Sequence, residues 1–164
     1  AHCDTSRTSI HCCRRIASGR GLRSAAGAGR SERTKLLPLD VCDEATLRGA
    51  ARDDAGCAEV CRRIEAESLY LFAVRGPGDV VARMFDRSLQ IGEDPATGSA
   101  AGPLGVYLAT HRLAGAPGRV IVAQGAQVGR PSFIQVDVTL DGDSVDVRVG
   151  GGVRFFGDGS FRIG

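Results

Sequence analysis

No run of about 18 consecutive apolar residues occurs anywhere in the chain, which excludes a transmembrane helix. Residues Ala1 to Ile10 are polar and lack the apolar centre of a secretory signal. Nothing here points to export, and the expected setting is the cytoplasm, with reduced thiols. A dominant charge is missing too. The net charge of +2 is too small to argue for a nucleic-acid partner. Metal-binding spacing is also absent among the six cysteines: Cys12 and Cys13 are adjacent, Cys57 and Cys61 lie four apart, and Cys3 and Cys42 stand alone. No CxxC pair is followed by a second, and a zinc site would have to be assembled from His11, Cys12 and Cys13. Neither a metal nor a cofactor is expected.

What is present divides the 164 residues into two kinds of sequence. Between Ala1 and Lys35 there are eight basic residues against Asp4 and Glu32, and no Phe, Tyr or Trp for stacking on bases. This stretch, rich in Arg, Ser, Gly and Ala, cannot bury enough apolar surface to offset ordering entropy and reads as a disordered basic leader. From Leu36 onward 13 basic residues face 17 acidic ones, and an ordered unit is expected over residues 36–164.

Leu36-Leu37-Pro38-Leu39 is a short apolar run, and Asp43 with Glu44 reads as an N-capped helix start. Cys57, Cys61 and Ile64 have the spacing of one helix face over residues 57–66. Leu69 to Val74 and Val80 to Phe85, joined through Gly76-Pro77-Gly78-Asp79, form an expected antiparallel hairpin. From about Ala100 to His111 a helix is apolar on nearly all sides, as at the centre of a domain. Strands follow over Val120 to Ala123, Phe133 to Leu140 and Val145 to Val149, with a last pair expected around Val153 to Phe156 and Phe161 to Ile163. The fold class is α+β: an antiparallel sheet or open barrel wrapped around one central helix.

The richest chemistry lies in Glu93-Asp94-Pro95-Ala96-Thr97-Gly98-Ser99-Ala100. Pro95 keeps Asp94 out of the helical region, so its carboxylate precedes the helix in an extended bend. Ser99 or Thr97 can cap the helix, and the amides of Gly98, Ser99 and Ala100 lie at its positive end, where an anion is favoured. An acid–base carboxylate beside an anion cradle suits proton movement near a substrate carboxylate. The same residues would also serve simply to begin a buried helix.

The segment from Glu93 to Leu104 resembles the signature of PhzF-type proteins, the phenazine biosynthesis-like isomerases. Gln124-Gly125 with Gly129-Arg130-Pro131-Ser132 is similar to that family's second C-terminal motif, and Val149-Gly150-Gly151 to its third. The resemblance implies one lobe of a diaminopimelate epimerase-like fold and cofactor-independent isomerisation, by proton removal and return beside a conjugated or carboxylate-bearing carbon. It implies Asp94 as a secondary acid–base or orienting group, and Gly98, Ser99 and Ala100 as substrate-binding residues. The Gly129-Arg130-Pro131-Ser132 turn would chiefly shape the fold, with Arg130 as an alternative point of attraction for an anionic ligand, and the partner would be a small carboxylate-bearing metabolite. The family's principal glutamate and its assisting histidine belong to an N-terminal lobe, which nothing in residues 1–35 resembles. The resemblance thus implies a C-terminal half, with a non-catalytic carboxylate-binding or homodimerising module as the alternative.

Overall fold

The computed structural model describes residues 36–41, 43–63, 66–86, 92–142 and 144–162. The expected basic leader and the His11, Cys12 and Cys13 group lie outside them, as does Ile64. Strand β1 (Leu36–Asp40) leads into two short helices, α1 (Glu44–Arg48) and α2 (Asp54–Arg63). Asp43 caps α1 by accepting a hydrogen bond from the Thr46 amide at 2.7 Å. On α2, Cys57, Val60 and Cys61 form the buried stripe.

The hairpin follows as β2 (Ser68–Gly76) and β3 (Asp79–Asp86), antiparallel with Leu69 opposite Phe85 and Val74 opposite Val80. Gly78 takes a left-handed φ of +70° in the turn, a conformation costly for a residue with a Cβ. Strict alternation divides the hairpin between two cores. Tyr70, Phe72, Val80, Ala82 and Met84 face one side. Leu69, Leu71, Ala73, Val81 and Phe85 face the other, where Leu47, Cys57, Val60 and Cys61 of α1 and α2 cover them.

After β3 come the two-residue β4 (Glu93–Asp94), helix α3 (Gly98–Thr110), β5 (Gly118–Gln124), a single 3₁₀ turn (Ala126–Val128), β6 (Ser132–Asp141) and β7 (Ser144–Gly151). The strand order is β1-β2-β3-β5-β6-β7, with β4 pairing only to β3. Most pairs are antiparallel, but β1 with β2 and β3 with β5 run parallel. In both cases the connection carries helices, the length of crossover that parallel neighbours require. Helix α3 packs against β6 and β7 at one end of the strand order and against β1 at the other. One helix can touch both ends only if the sheet curls around it, so the architecture is a mixed half-barrel wrapped on α3.

Gly105 explains how closely helix and sheet approach. A Cβ there would lie 2.6 Å from Val136 Cγ1 and 3.1 Å from Val138 Cγ2. The inner core is completed by Ala100, Ala101, Leu104, Tyr107 and Leu108 of α3 against Val120, Val122, Ile134, Val136 and Val138. The last expected strand pair does not form among the described residues. Residues 152–162 carry no strand, and Val153, Phe155, Phe156 and Phe161 are almost fully exposed. The apolar residues there have strand-forming character, but among the described residues no strand pairs with them.

Candidate functional site

Strand β3 presents one edge to two partners in succession. Its first half pairs with β5, ending with Ala82 opposite Gln124. Its second half pairs with β4, where Met84 lies opposite Asp94. Gln124 and Asp94, 30 residues apart in sequence, are therefore brought to rungs two residues apart on a single edge.

Which way Asp94 points follows from its neighbour. Glu93 is held on the outer face in a bidentate ion pair with Arg83, at 2.7 and 3.0 Å. Both side chains are only 8% exposed. The same guanidinium donates to the Leu47 and Ala50 carbonyls that end α1, and it lies over the Phe85 ring at 4.8 Å. With Glu93 fixed outward, the period of two along a strand turns Asp94 inward, toward the start of α3.

A closed set of hydrogen bonds surrounds it. The Thr97 hydroxyl donates to Asp94 Oδ2 at 2.7 Å, and the Ala96 amide approaches Oδ1 at 3.3 Å. Gln124 Nε2 donates to the Asp94 carbonyl at 2.7 Å and to Thr97 Oγ1 at 2.9 Å. Gln124 Oε1 accepts from the Tyr70 hydroxyl at 2.9 Å and from the Thr97 amide at 3.3 Å. Burial, and then the negative charge of Asp94, hold the Tyr70 phenol well above the usual tyrosine range, so it remains a donor.

Of the two candidate caps, Thr97 occupies the N-cap position of α3, but its hydroxyl bonds no helix amide and turns back to Asp94. Gly98 and Ser99 are exposed in the first turn. Their amides have no carbonyl four residues back within the helix, as at any helix start. Ala100 is buried, and its amide approaches the Thr97 carbonyl at 3.2 Å. Arg130 is exposed beyond the 3₁₀ turn, with its amide donating to the Gly125 carbonyl at 2.9 Å.

The three motif segments meet in space. Gly125, at φ +83°, sits against the Arg130 carbonyl, and a Cβ there would lie 2.6 Å from the Pro95 carbonyl oxygen. Val149 faces Gly98 and Gly102, with 3.9 and 3.7 Å to their ideal Cβ positions. Gln124 lies within a motif of the sequence, but its link to Asp94 is not legible there, nor are the roles of Tyr70 and the Arg83–Glu93 pair. The available signal was a polar residue ending an otherwise apolar strand.

A model of the phenazine biosynthesis-like proteins matches residues 27–157. The chain belongs to the PhzC-PhzF family. It is 37% identical over 136 residues to an uncharacterized isomerase of Deinococcus radiodurans, an overlap of 80% of this chain and 43% of that protein. It is 39% identical over 79 residues to the trans-2,3-dihydro-3-hydroxyanthranilate isomerase of Pseudomonas aeruginosa, covering 48% of this chain and 28% of the relative. Among solved structures, a predicted epimerase from Pseudomonas aeruginosa superposes with a TM-score of 0.53 at 35% identity, over 71% of this chain and 37% of the other. The chain thus spans less than half the length of these family relatives. No helix of the described residues is long and apolar enough to cross a membrane. No cluster of three or more His, Cys, Asp or Glu side chains among them could hold a metal.

An open cleft of about 460 Å³ borders the Asp94 hydrogen-bond network at Gln124 and is otherwise lined by Arg48, Arg75, Gln127 and Phe133 among others. Its arginines are already paired, Arg48 with Glu44 at 3.0 Å and Arg75 with Asp79 at 2.6 Å.

Proposed function

We propose that this chain supplies the C-terminal half of a cofactor-independent isomerase site, one that removes and returns a proton beside a carboxylate-bearing or conjugated carbon. The observation that carries the reading is the Asp94 carboxylate held in a hydrogen-bonded bend at the positive end of a buried helix. Asp94 orients the substrate or relays its proton, while the Gly98 and Ser99 amides and the Ser99 hydroxyl receive the substrate carboxylate. Ala100 contributes shape at the helix start, since its amide is turned to Thr97. The second acid–base group comes from a complementary lobe, and a small carboxylate-bearing metabolite is the partner. The site works in the cytoplasm without a cofactor.

Amide NMR of the chain, titrated with 3-hydroxyanthranilate, tests this half-site. The expected shifts concentrate at Gly98, Ser99 and Ala100 and disappear in the Asp94→Asn, Ser99→Ala double variant. A well-dispersed spectrum that ignores the ligand would sink the proposal.

One observation favours a second reading, a module that associates with its own kind. Phe155, Phe156 and Phe161 stand almost bare in solvent, and apolar patches of this kind commonly mark contact surfaces. Sedimentation velocity would then show a homodimer that Phe155→Ser, Phe156→Ser returns to monomer. A monomer at every concentration would remove this reading.

A further inference from the structure

The hydrogen bonds around Asp94 have a direction, and the partners fix it. A glutamine carboxamide can be placed either way round, so its orientation has to be read from groups that only donate or only accept. Gln124 meets one of each. The Asp94 carbonyl can only accept, which makes the atom 2.7 Å from it Nε2. The Thr97 backbone amide can only donate, which makes the atom 3.3 Å from it Oε1.

Everything else follows. Nε2 spends its second proton on Thr97 Oγ1 at 2.9 Å. With that lone pair occupied, the single hydroxyl proton of Thr97 is left to point at Asp94 Oδ2, 2.7 Å away. At the other end, Oε1 takes the Tyr70 hydroxyl proton at 2.9 Å. All four hydrogen-bonding positions of the Gln124 carboxamide are used, and the residue is 2% exposed. The chain of donors runs one way, from Tyr70 through Gln124 and Thr97 to Asp94.

We infer that Gln124 is the positioning residue for Asp94. It pins the Asp94 backbone, and by orienting the Thr97 hydroxyl it locks the carboxylate in one rotamer at the start of α3. The functional value of this lock depends on the proposed role of Asp94, but the lock itself does not. Fold topology supplies the precision. Gln124 ends a strand hydrogen-bonded on both sides, to Ala82 of β3 and to Ser132 of β6, so its side chain departs from a rigid base. The Arg83–Glu93 pair fixes the residue next to Asp94 from the opposite face of the sheet.

The test is NMR of the full chain, read first without any ligand. Asp94 should show the Hα–Hβ couplings of a single χ1 rotamer. The Gln124 side-chain amide protons should exchange with solvent at least ten-fold more slowly than those of exposed Gln127 and Gln135. Thr97→Val keeps the shape of the residue and removes the hydroxyl, and should average the Asp94 couplings while leaving amide dispersion intact. Thr97→Ser restores the hydroxyl and should restore the single rotamer, a rescue that packing alone would not give. Gln124→Glu replaces the donating group by a carboxylate and should free Asp94 as Thr97→Val does. Rotamer averaging in the unmutated chain, fast Gln124 exchange, or a locked Asp94 in Thr97→Val would each overturn the inference. Titration with 3-hydroxyanthranilate comes second and separates the two ideas. A locked, Thr97-dependent Asp94 in a chain that ignores the ligand would leave the positioning role standing while the half-site reading fails.

Discussion

Replacing Gly105 by alanine puts two opposing effects in direct competition. In an ordinary helix interior the exchange stabilises by about 0.5–1 kcal/mol, because glycine gives up more backbone freedom on folding. Here the new Cβ would stand 2.6 Å from Val136 Cγ1 and 3.1 Å from Val138 Cγ2. Carbon atoms prefer roughly 3.5–4.0 Å, so the nearer contact is short by about 1 Å. Neither side can yield cheaply. Val136 is fully buried and paired on both edges, to Val120 and Val149, and its branched side chain is stiff. Overpacking of this kind costs about 1–3 kcal/mol. Subtracting the propensity gain leaves a net destabilisation of up to about 2.5 kcal/mol, centred near 1 kcal/mol.

Gly102 provides the control on the same helix. A Cβ there meets Val149 Cγ2 at 3.7 Å, an ordinary contact. Pro103 follows, and its ring disfavours a helical residue with a Cβ before it, so the propensity gain is offset and Gly102→Ala should change stability by no more than about 0.5 kcal/mol. Urea unfolding followed by circular dichroism measures both variants, with unchanged slopes needed for the midpoints to report stability. Gly105→Ala at or above wild-type stability would refute the close approach of α3 to β6. A loss of similar size in both variants would refute the claim that local space decides the sign.

Arg83→Met should cost roughly 3–5 kcal/mol in chemical denaturation, because it leaves Glu93 charged and unpaired inside the protein. Adding Glu93→Leu should recover most of that loss, and a double variant no more stable than the single one would contradict the assignment. Tyr70 predicts an alkaline effect. Its phenol ionises near pH 10 in an unfolded chain and at higher pH when folded, so folding excludes the phenolate. The stability it contributes is complete below about pH 10 and falls with rising pH by up to about 1.4 kcal/mol per unit. Tyr70→Phe should flatten stability against pH in that range, and parallel curves for the two proteins would disprove the burial effect.

Periodicity and turn chemistry made several elements legible without a structure. The hairpin over Leu69 to Phe85, the alternation of Ile134, Val136 and Val138, and the Asp43 cap depend on interactions within a few residues or on which face is apolar. Both are written locally. The apolar excess of the helix after Thr97 likewise announced a central position, and the segment from Glu93 to Leu104 marked the family. Pairing between distant strands is not written in that way. Nothing local distinguishes Leu36–Asp40 as a parallel neighbour of β2, and the strand-like pattern around Val153 to Phe156 could not reveal that residues 152–162 pair with no described strand. The site shows the same division. That Asp94 leaves the helix at a bend follows from Pro95. That it meets Gln124 follows only from β4 and β5 sharing one edge of β3, because hydrogen-bonding capacity belongs to a residue whereas the partner that satisfies it is chosen by the packing of the whole sheet.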